Sequence, residues 1–98
     1  MIVSIDESVR RDMKKIKKAN LTIALRINLF LDETLTNAQD PRRIPGTKKL
    51  QDYENFYRWR IGNYRVVARF YEDLIEICEV VLVADRKEVY ERLKRKDY

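Results

Sequence analysis

The first part of the chain carries apolar residues at helical spacing. Val9, Met13 and Ile16 form a narrow stripe, and Asp6 or Ser8 is placed to cap a helix that carries it. The apolar run "MIVSI" precedes this stripe and is typical of a short edge strand. The pattern therefore predicts a strand followed by a first helix.

A second helix is predicted from Leu21 to about Thr36, with Asn20 as its cap. Two neighbouring apolar rows run along this segment: Leu21, Ala24, Leu25, Leu31 and Leu35 in one, and Ile23, Ile27 and Phe30 in the other. Because the combined face is wide, we expect this helix to be buried along most of its length.

The pattern changes to short strand-like runs after a long loop. Residues 37–54, "NAQDPRRIPGTKKLQDYE", hold both prolines and one of the two glycines, which predicts a loop. Runs rich in Val, Ile, Tyr and Phe follow at roughly 55–61, 63–72 and 74–84, with breaks at Gly62-Asn63 and Glu72-Asp73. Connections this short permit only antiparallel hairpins.

The end of the chain, from Lys87 onward, predicts a charged helix with Val89 and Leu93 four residues apart. The complete order is β-α-α-β-β-β-α. This order predicts an α+β fold in one domain over residues 1–98, with two N-terminal helices packed on a small antiparallel sheet.

Charge adds a basic surface to this picture. The 98 residues are 38% charged with a net charge of +5, and basic residues dominate segments 10–18, 42–49 and 86–98. Nucleic acid is the commonest partner of such a surface, although segment 10–18 alone also fits a solvated lysine-rich face or a helix lying on a membrane. The absence of a membrane-length apolar run or signal-peptide pattern, together with one cysteine, predicts a cytoplasmic protein that does not bind membranes.

The residue types available exclude several classes of enzyme. The chain has no histidine, which excludes Ser-His-Asp and Cys-His catalysis and the usual histidine-containing zinc sites. Its glycines fit neither a P-loop nor a dinucleotide-binding motif, and its acids are scattered. We therefore expect neither a cofactor nor a metal site, and we expect Cys78 to serve packing.

Arginine is what remains as candidate chemistry. In "FYRWRIGNYRVVARF" (56–70), strand alternation places Arg58 and Arg60 on one face and Arg65 and Arg69 on one face of the next strand. If hairpin register joins these faces, they form a cationic patch suited to phosphate, because guanidinium donates two parallel hydrogen bonds. The alternative for any single arginine is an ion pair with a nearby acid: Glu54, Glu76 or Glu79.

The same residues carry a family resemblance. The stretch "KKLQDYENFYRWRIGNYRVVARF", followed after the next strand by "VADRKEVYERL", resembles the RelE/ParE toxin superfamily of toxin–antitoxin systems. The shared pattern is a lysine-leucine lead-in, an aromatic-basic-x-basic strand, a glycine turn, a Tyr-Arg-Val strand and a final Arg…Val-Tyr. The resemblance implies a ribosome-dependent endoribonuclease that cleaves mRNA and is neutralised by a cognate antitoxin protein.

The resemblance also implies roles for individual residues. Arg65 and Arg86 match arginines that stabilise the phosphate charge, and Tyr90 matches the terminal tyrosine, either as proton acceptor or as a ring that stacks on a base. The implied substrate-binding residues are basic: Arg58, Arg60, Lys48 and Lys49. Asp85 departs from the pattern, since many members have histidine or another basic residue before the arginine.

The implied chemistry needs no metal. RNA supplies its own nucleophile in the 2′-hydroxyl, so the protein has to orient that oxygen and neutralise charge on the phosphoryl group. Two other functions stay open: a non-cleaving inhibitor of DNA gyrase, as in the ParE branch, and a plain RNA-binding module that exposes stacking aromatics such as Trp59 or Tyr64.

Overall fold

A computed structural model of the protein describes residues 2–71 and 74–96, of which 74–77 through the backbone alone. The strands are β1 (Ile2–Ile5), β2 (Lys48–Lys49), β3 (Phe56–Ile61), β4 (Tyr64–Tyr71) and β5 (Leu74–Asp85). The helices are α1 (Glu7–Ala19), α2 (Leu21–Leu29) and α3 (Val89–Arg95), with a π-helical turn at Phe30–Leu35 and a 3₁₀ turn at Pro41–Arg43. The predicted α+β class and sequence of elements are confirmed.

The strands form one sheet in the spatial order β1-β5-β4-β3-β2. The three hairpin-connected strands pair antiparallel, as predicted, and β1 is the expected edge strand. Two features extend the prediction: β1 runs parallel to residues 77–80 of β5, and β2 forms inside the predicted loop and pairs with β3. The parallel pairing is possible because a long segment, which contains the two N-terminal helices and the strands β2 to β4, connects β1 to β5.

The predicted helix caps are present. Asp6 caps α1 by accepting hydrogen bonds from the backbone N–H and the hydroxyl of Ser8, and Asn20 Oδ1 accepts from Ile23 N–H at 3.1 Å at the start of α2. Asn20 also ends α1, since its N–H donates to Ile16 O at 2.7 Å. One residue thus stops the first helix and starts the second, which fixes the α1–α2 hairpin.

The second helix differs from its prediction in burial and geometry. Leu21, Leu25 and Leu29 are 53%, 59% and 56% exposed, so part of the wide apolar face is not covered. The other predicted residues Ile23, Ala24 and Ile27 are buried, as are Leu31 and Leu35 in the following turn. The predicted burial of Leu21 and Leu25 was wrong because α2 lies on the sheet with one side alone. Its continuation after Leu29 is a wider π-helical turn. No helix among residues 2–71 and 74–96 has the length and apolarity needed to cross a bilayer.

The sheet separates two apolar cores. The larger lies between its first face and the α1–α2 hairpin, and includes Trp59, Val66 and Cys78. The smaller lies on the opposite face beneath α3, and includes Val67, Leu82 and Leu93. Burial raises the pKa of the Cys78 thiol to about 12, which keeps it protonated at neutral pH and agrees with the predicted packing role.

Helix α3 is tied to the first helix by two charged contacts. Arg92 Nη2 donates to Asp12 Oδ2 at 2.9 Å, and Asp12 is only 9% exposed. Lys96 Nζ donates to Val81 O at 2.9 Å, to Ser8 Oγ at 2.7 Å and to Asp6 Oδ2 at 3.3 Å. A seven-residue helix has little stability of its own, so these contacts and the buried Val89 and Leu93 fix its position.

Candidate functional site

The β3–β4 hairpin brings two arginines face to face. Its turn is Gly62-Asn63, and the resulting register places Arg60 directly opposite Arg65. Gly62 has a φ of +58°, which favours glycine, and a Cβ at this position would lie 2.7 Å from Ile23 Cδ1 and displace the end of that side chain. The local sequence therefore fixes the register that joins the two predicted arginine faces.

Arg65 lies at the centre of a basic cluster, which consists of Arg58, Arg60, Arg65 and Arg86. Arg65 is 9% exposed, and its Nη1 donates to Tyr64 O at 3.0 Å and to Gly62 O at 3.4 Å. Burial lowers the pKa of Arg65, and the positive charges of Arg60, Arg58 and Arg86 lower it further. The guanidinium groups of Arg58, Arg60 and Arg86 are thus near enough to repel that of Arg65. None of the four has an ion pair within the part of the chain that the structure describes.

Arg58 extends the cluster toward β2. It lies opposite Lys48 in the β2–β3 ladder, so the two side chains share the face that carries Arg60 and Arg65. Its Nη1 is buried and has no hydrogen-bond partner among the described residues. A buried donor without an acceptor destabilises the free protein. Lys49 lies opposite Tyr57 and does not share this strand face.

Arg86 and Tyr90 close the cluster at the end of β5. The backbone N–H of Arg86 donates to Asn63 O at 2.8 Å, so the hairpin turn contacts both Arg65 and Arg86. Tyr90 is 50% exposed and lies in the first turn of α3. Tyr90 lies near Arg65 and lines one cleft together with Arg58, so it borders the same site.

Asp85 has a structural role in this region. Its Oδ1 accepts from Lys87 N–H at 2.7 Å, and its carbonyl oxygen accepts from Glu88 N–H at 3.0 Å. The side chain therefore shapes the turn that joins β5 to α3. This contact gives a physical reason for an acid at the position where the resemblance implies a basic residue.

Arg69 does not join the cluster. Its Nε donates to Glu79 Oε1 at 2.7 Å, and its guanidinium carbon lies 5.1 Å from the centre of the Tyr71 ring. The ion-pair alternative is therefore confirmed for this arginine. Trp59 is 1% exposed and donates from Nε1 to Thr47 Oγ1 at 2.6 Å, which removes it as a stacking surface for RNA.

Several residues near the cluster have no signal in the sequence pattern. Lys94 and Tyr53 line a cleft together with Arg58 and Tyr90, although they lie 41 positions apart. The ion pair of Asp12 was equally unpredictable, because its partner Arg92 is 80 residues away in the sequence. Within the described residues, no three His, Cys, Asp or Glu side chains are grouped so that they could hold a metal ion.

Comparison with known proteins gives consistent matches. Residues 3–90 match the family model of the ParE toxin of the type II toxin–antitoxin system parDE. None of the curated proteins is significantly similar in sequence.

Three solved structures have a similar fold. A chain of the RelB–RelE antitoxin–toxin complex from Methanococcus jannaschii is 26% identical, with a TM-score of 0.72 over 91% of this chain and 96% of that one. A chain of the RelBE2 complex from Mycobacterium tuberculosis is 23% identical, with a TM-score of 0.65 and coverage of 87% and 90%. One from the archaeal RelE–RelB complex of Pyrococcus horikoshii is 22% identical, with a TM-score of 0.54 and coverage of 87% and 93%.

Proposed function

The chain belongs to the RelE/ParE family of type II toxin–antitoxin toxins, and we propose that this toxin is a ribosome-dependent endoribonuclease that cleaves mRNA. The observation that carries the proposal is the opposition of Arg60 and Arg65, with Arg58 and Arg86 close by and no carboxylate partner among the described side chains. The repulsion between these groups destabilises the free protein. A bound phosphate offsets it, because its negative charge attracts all of them.

The proposed reaction uses the 2′-hydroxyl of the RNA as nucleophile. That oxygen loses its proton and attacks the adjacent phosphorus, and a 2′,3′-cyclic phosphate forms. The bond to the 5′-oxygen of the next nucleotide breaks, and this oxygen takes up a proton from water and leaves as a 5′-hydroxyl. Arg65 and Arg86 stabilise the negative charge on the phosphoryl oxygens, and no metal ion is required. Arg65 suits this role because its two backbone acceptors hold the guanidinium in place before RNA arrives.

The remaining residues of the cluster hold the RNA. Arg58, Arg60 and Lys48 line one strand face beside Arg65 and bind backbone phosphates, while Lys49 contributes from the neighbouring position on β2. Tyr90 either accepts the proton of the 2′-hydroxyl or stacks on a base. Its half-exposed ring near Arg65 permits either role.

Inhibition of DNA gyrase without RNA cleavage is the second candidate. It is favoured by the matching family model, which describes a ParE toxin. An inhibitor that acts by binding alone has no need of a buried, backbone-anchored arginine facing a second arginine. The geometry of Arg65 therefore supports the nuclease.

The two candidates predict different damage in cells. We expect induction of the protein to produce new mRNA 5′ ends inside translated reading frames within minutes, with unchanged plasmid supercoiling. Variant Arg65→Ala is the matched control and should produce neither change. Altered supercoiling without new 5′ ends would replace the nuclease by the gyrase inhibitor.

We also propose that a cognate antitoxin protein binds this toxin, since the similar structures are antitoxin–toxin complexes. The exposed leucine row on α2 offers apolar contacts, and the basic cluster offers charged ones. An antitoxin segment that is disordered alone and acidic would fit both. Its affinity should fall with added salt without vanishing, and Leu25→Asp should weaken it at every salt concentration. An affinity independent of salt would contradict the charged contact.

A further inference from the structure

A cleft of about 660 Å³ lies beside the basic cluster, and its wall of residues 50–53 has no role in the chemistry described so far. One wall is the turn that follows β2, and the other is α3. Its lining residues are Lys48, Lys49, Leu50, Gln51, Asp52, Tyr53, Arg58, Tyr90 and Lys94. This volume lies within the range of pockets that bind small molecules, so a single nucleotide unit fits.

The turn of residues 50–55, of which residues 50–53 line the cleft, has an uncommon backbone conformation that hydrogen bonds hold. Asp52 and Asn55 have φ values of +66° and +62°, which are uncommon for residues other than glycine. Hydrogen bonds fix both ends of this turn: Leu50 N–H donates to Phe56 O at 2.9 Å, and Asn55 O accepts from Phe70 N–H at 3.0 Å. Uncommon backbone conformations that the surroundings hold in place are often found at binding sites.

The opposite wall and the floor provide a ring and a cation. Tyr90 exposes half of its surface, and Arg58 lines the cleft without an ion pair to any described residue. Three lysines also line the cleft: Lys48, Lys49 and Lys94. A ligand that suits these groups has an anionic group for the cations and a flat ring for the tyrosine, which is the composition of a nucleotide.

The turn adds groups that can distinguish one base from another. Asp52 lines the cleft and forms no ion pair within the described residues, and Gln51 beside it offers an amide. A carboxylate only accepts hydrogen bonds. The amino groups of guanine, adenine and cytosine can donate to it, whereas uracil has a carbonyl oxygen at the corresponding position and offers a single ring N–H.

We infer that the cleft between residues 50–53 and Tyr90 binds one base of single-stranded RNA and selects amino-bearing bases over uracil through Asp52. This inference rests on the proposed function, because it requires RNA on the neighbouring arginines. The phosphate of the bound nucleotide lies on Arg58 and Lys48, and the base lies against Tyr90 with its edge toward Asp52. Residues 50–55 thereby acquire a function of their own.

The test is the binding of non-cleavable RNA tetranucleotides, methylated at every 2′-oxygen, to the intact protein. Each position is varied among the four bases, and affinity is measured by calorimetry. At one position we expect uridine to bind about tenfold more weakly than the other three nucleotides, the size of one good base contact. NMR signals of Tyr53 and Tyr90 should shift when the preferred tetranucleotide binds.

Two variants of the turn make the test specific. Asp52→Asn keeps a residue that tolerates positive φ and should abolish the discrimination against uridine. Glu54→Gln removes the same charge from the same turn without lining the cleft, and should preserve the discrimination. Unchanged base preference in Asp52→Asn, or shifts confined to Tyr90, would overturn the inference.

Failure of the inference and failure of the proposed function remain distinguishable. If the protein binds tetranucleotides selectively but produces no mRNA cleavage in cells, the proposed nuclease function is wrong and the base site in the cleft is supported. Cleavage of mRNA by a protein whose tetranucleotide affinity is the same for all four bases at every position would support the nuclease and overturn the base site.

Discussion

Two arginines on one face of strand β4 have opposite surroundings. On β4, Arg65 and Arg69 are four residues apart and lie on the same face. The register places Arg69 opposite Glu79 on β5, where the two side chains form an ion pair at 2.7 Å. It places Arg65 between Arg60 on β3 and Ala84 on β5, where it meets a like charge and a methyl group.

The difference separates a structural arginine from a functional one. Opposite charges across strands stabilise a sheet by a few tenths to about 1 kcal/mol, and like charges directly opposite destabilise it. Arg69 therefore has a structural reason for its charge, whereas Arg65 has none in the free protein. Its backbone hydrogen bonds position the guanidinium and leave its charge uncompensated.

The largest predicted effect follows from removing each arginine in turn. Arg65→Ala should reduce mRNA cleavage about 100- to 1,000-fold, the usual loss when one donor that stabilises an oxyanion is removed. Arg69→Ala should leave cleavage within about twofold and lower the melting temperature, because Glu79 loses its partner. Cleavage is measured by primer extension in a translating extract, and stability by thermal unfolding monitored by circular dichroism. Equal losses of activity and stability in both variants would contradict the comparison.

A charge reversal at Arg60 should give Arg65 an ion-pair partner like the one that Arg69 has. Arg60→Glu places a carboxylate opposite Arg65 at an exposed position, as Glu79 stands opposite Arg69. We expect stability to rise by up to about 1 kcal/mol and cleavage to fall more than in Arg60→Gln, because the new carboxylate repels phosphate. Chemical denaturation of the three proteins measures the stability. A destabilised Arg60→Glu variant would show that Arg60 and Arg65 do not interact.

Much of this arrangement was predictable from local sequence. Strand alternation placed Arg58, Arg60 and Arg65 on their faces, and Gly62-Asn63 defined the turn that sets their register. The same alternation predicted one common face for Arg65 and Arg69. It could not show that Arg69 alone would meet an acid, because that depends on the register of β5, which contains a bulge between these two positions.

Contacts between distant segments were beyond the reach of the sequence pattern. The Asp12–Arg92 ion pair, and the cleft shared by Tyr53, Tyr90 and Lys94, depend on how α3 packs against the rest of the fold. The exposed leucines of α2 were mispredicted for a related reason. Periodicity shows which residues share a helix face and does not show whether that face contacts the sheet or solvent.

The third prediction concerns RNA affinity and its dependence on salt. Arg58→Ala and Arg60→Ala should each weaken RNA binding about tenfold at low salt and reduce the slope of log affinity against log salt by about 1, because each removes one phosphate contact. Arg69→Ala should leave the slope unchanged. Binding of a 2′-O-methylated single-stranded RNA at several salt concentrations measures the slope. An equal change of slope in Arg69→Ala would mean that the paired arginine also contacts RNA.

A smaller effect on stability is expected from breaking the Arg69–Glu79 ion pair. Glu79→Gln keeps the shape of the side chain and should destabilise the protein by about 1 kcal/mol, the usual value of a partly exposed ion pair. Cleavage should not change, since Glu79 is remote from Arg65. Denaturant unfolding with parallel cleavage assays tests both statements. Reduced cleavage at unchanged stability would give Arg69 and Glu79 a part in the reaction.

The smallest predicted effect tests whether charge pairing also has a purely structural role at the Asp6–Lys96 contact. Hydrogen bonds from Ser8, and then the nearby Lys96 ammonium, lower the pKa of Asp6 in the folded protein. Because the folded pKa lies below the unfolded value of about 3.9, the carboxylate stabilises the fold above that pH. The stabilisation is lost as pH falls through the folded pKa.

Asp6→Asn should therefore cost less than about 1 kcal/mol at pH 7, since the carboxylate is partly exposed, and should flatten the loss of stability between about pH 4 and pH 2. Urea unfolding from pH 7 to pH 2 measures both quantities, and an acid limb equally steep in the variant would mean that other carboxylates govern acid unfolding.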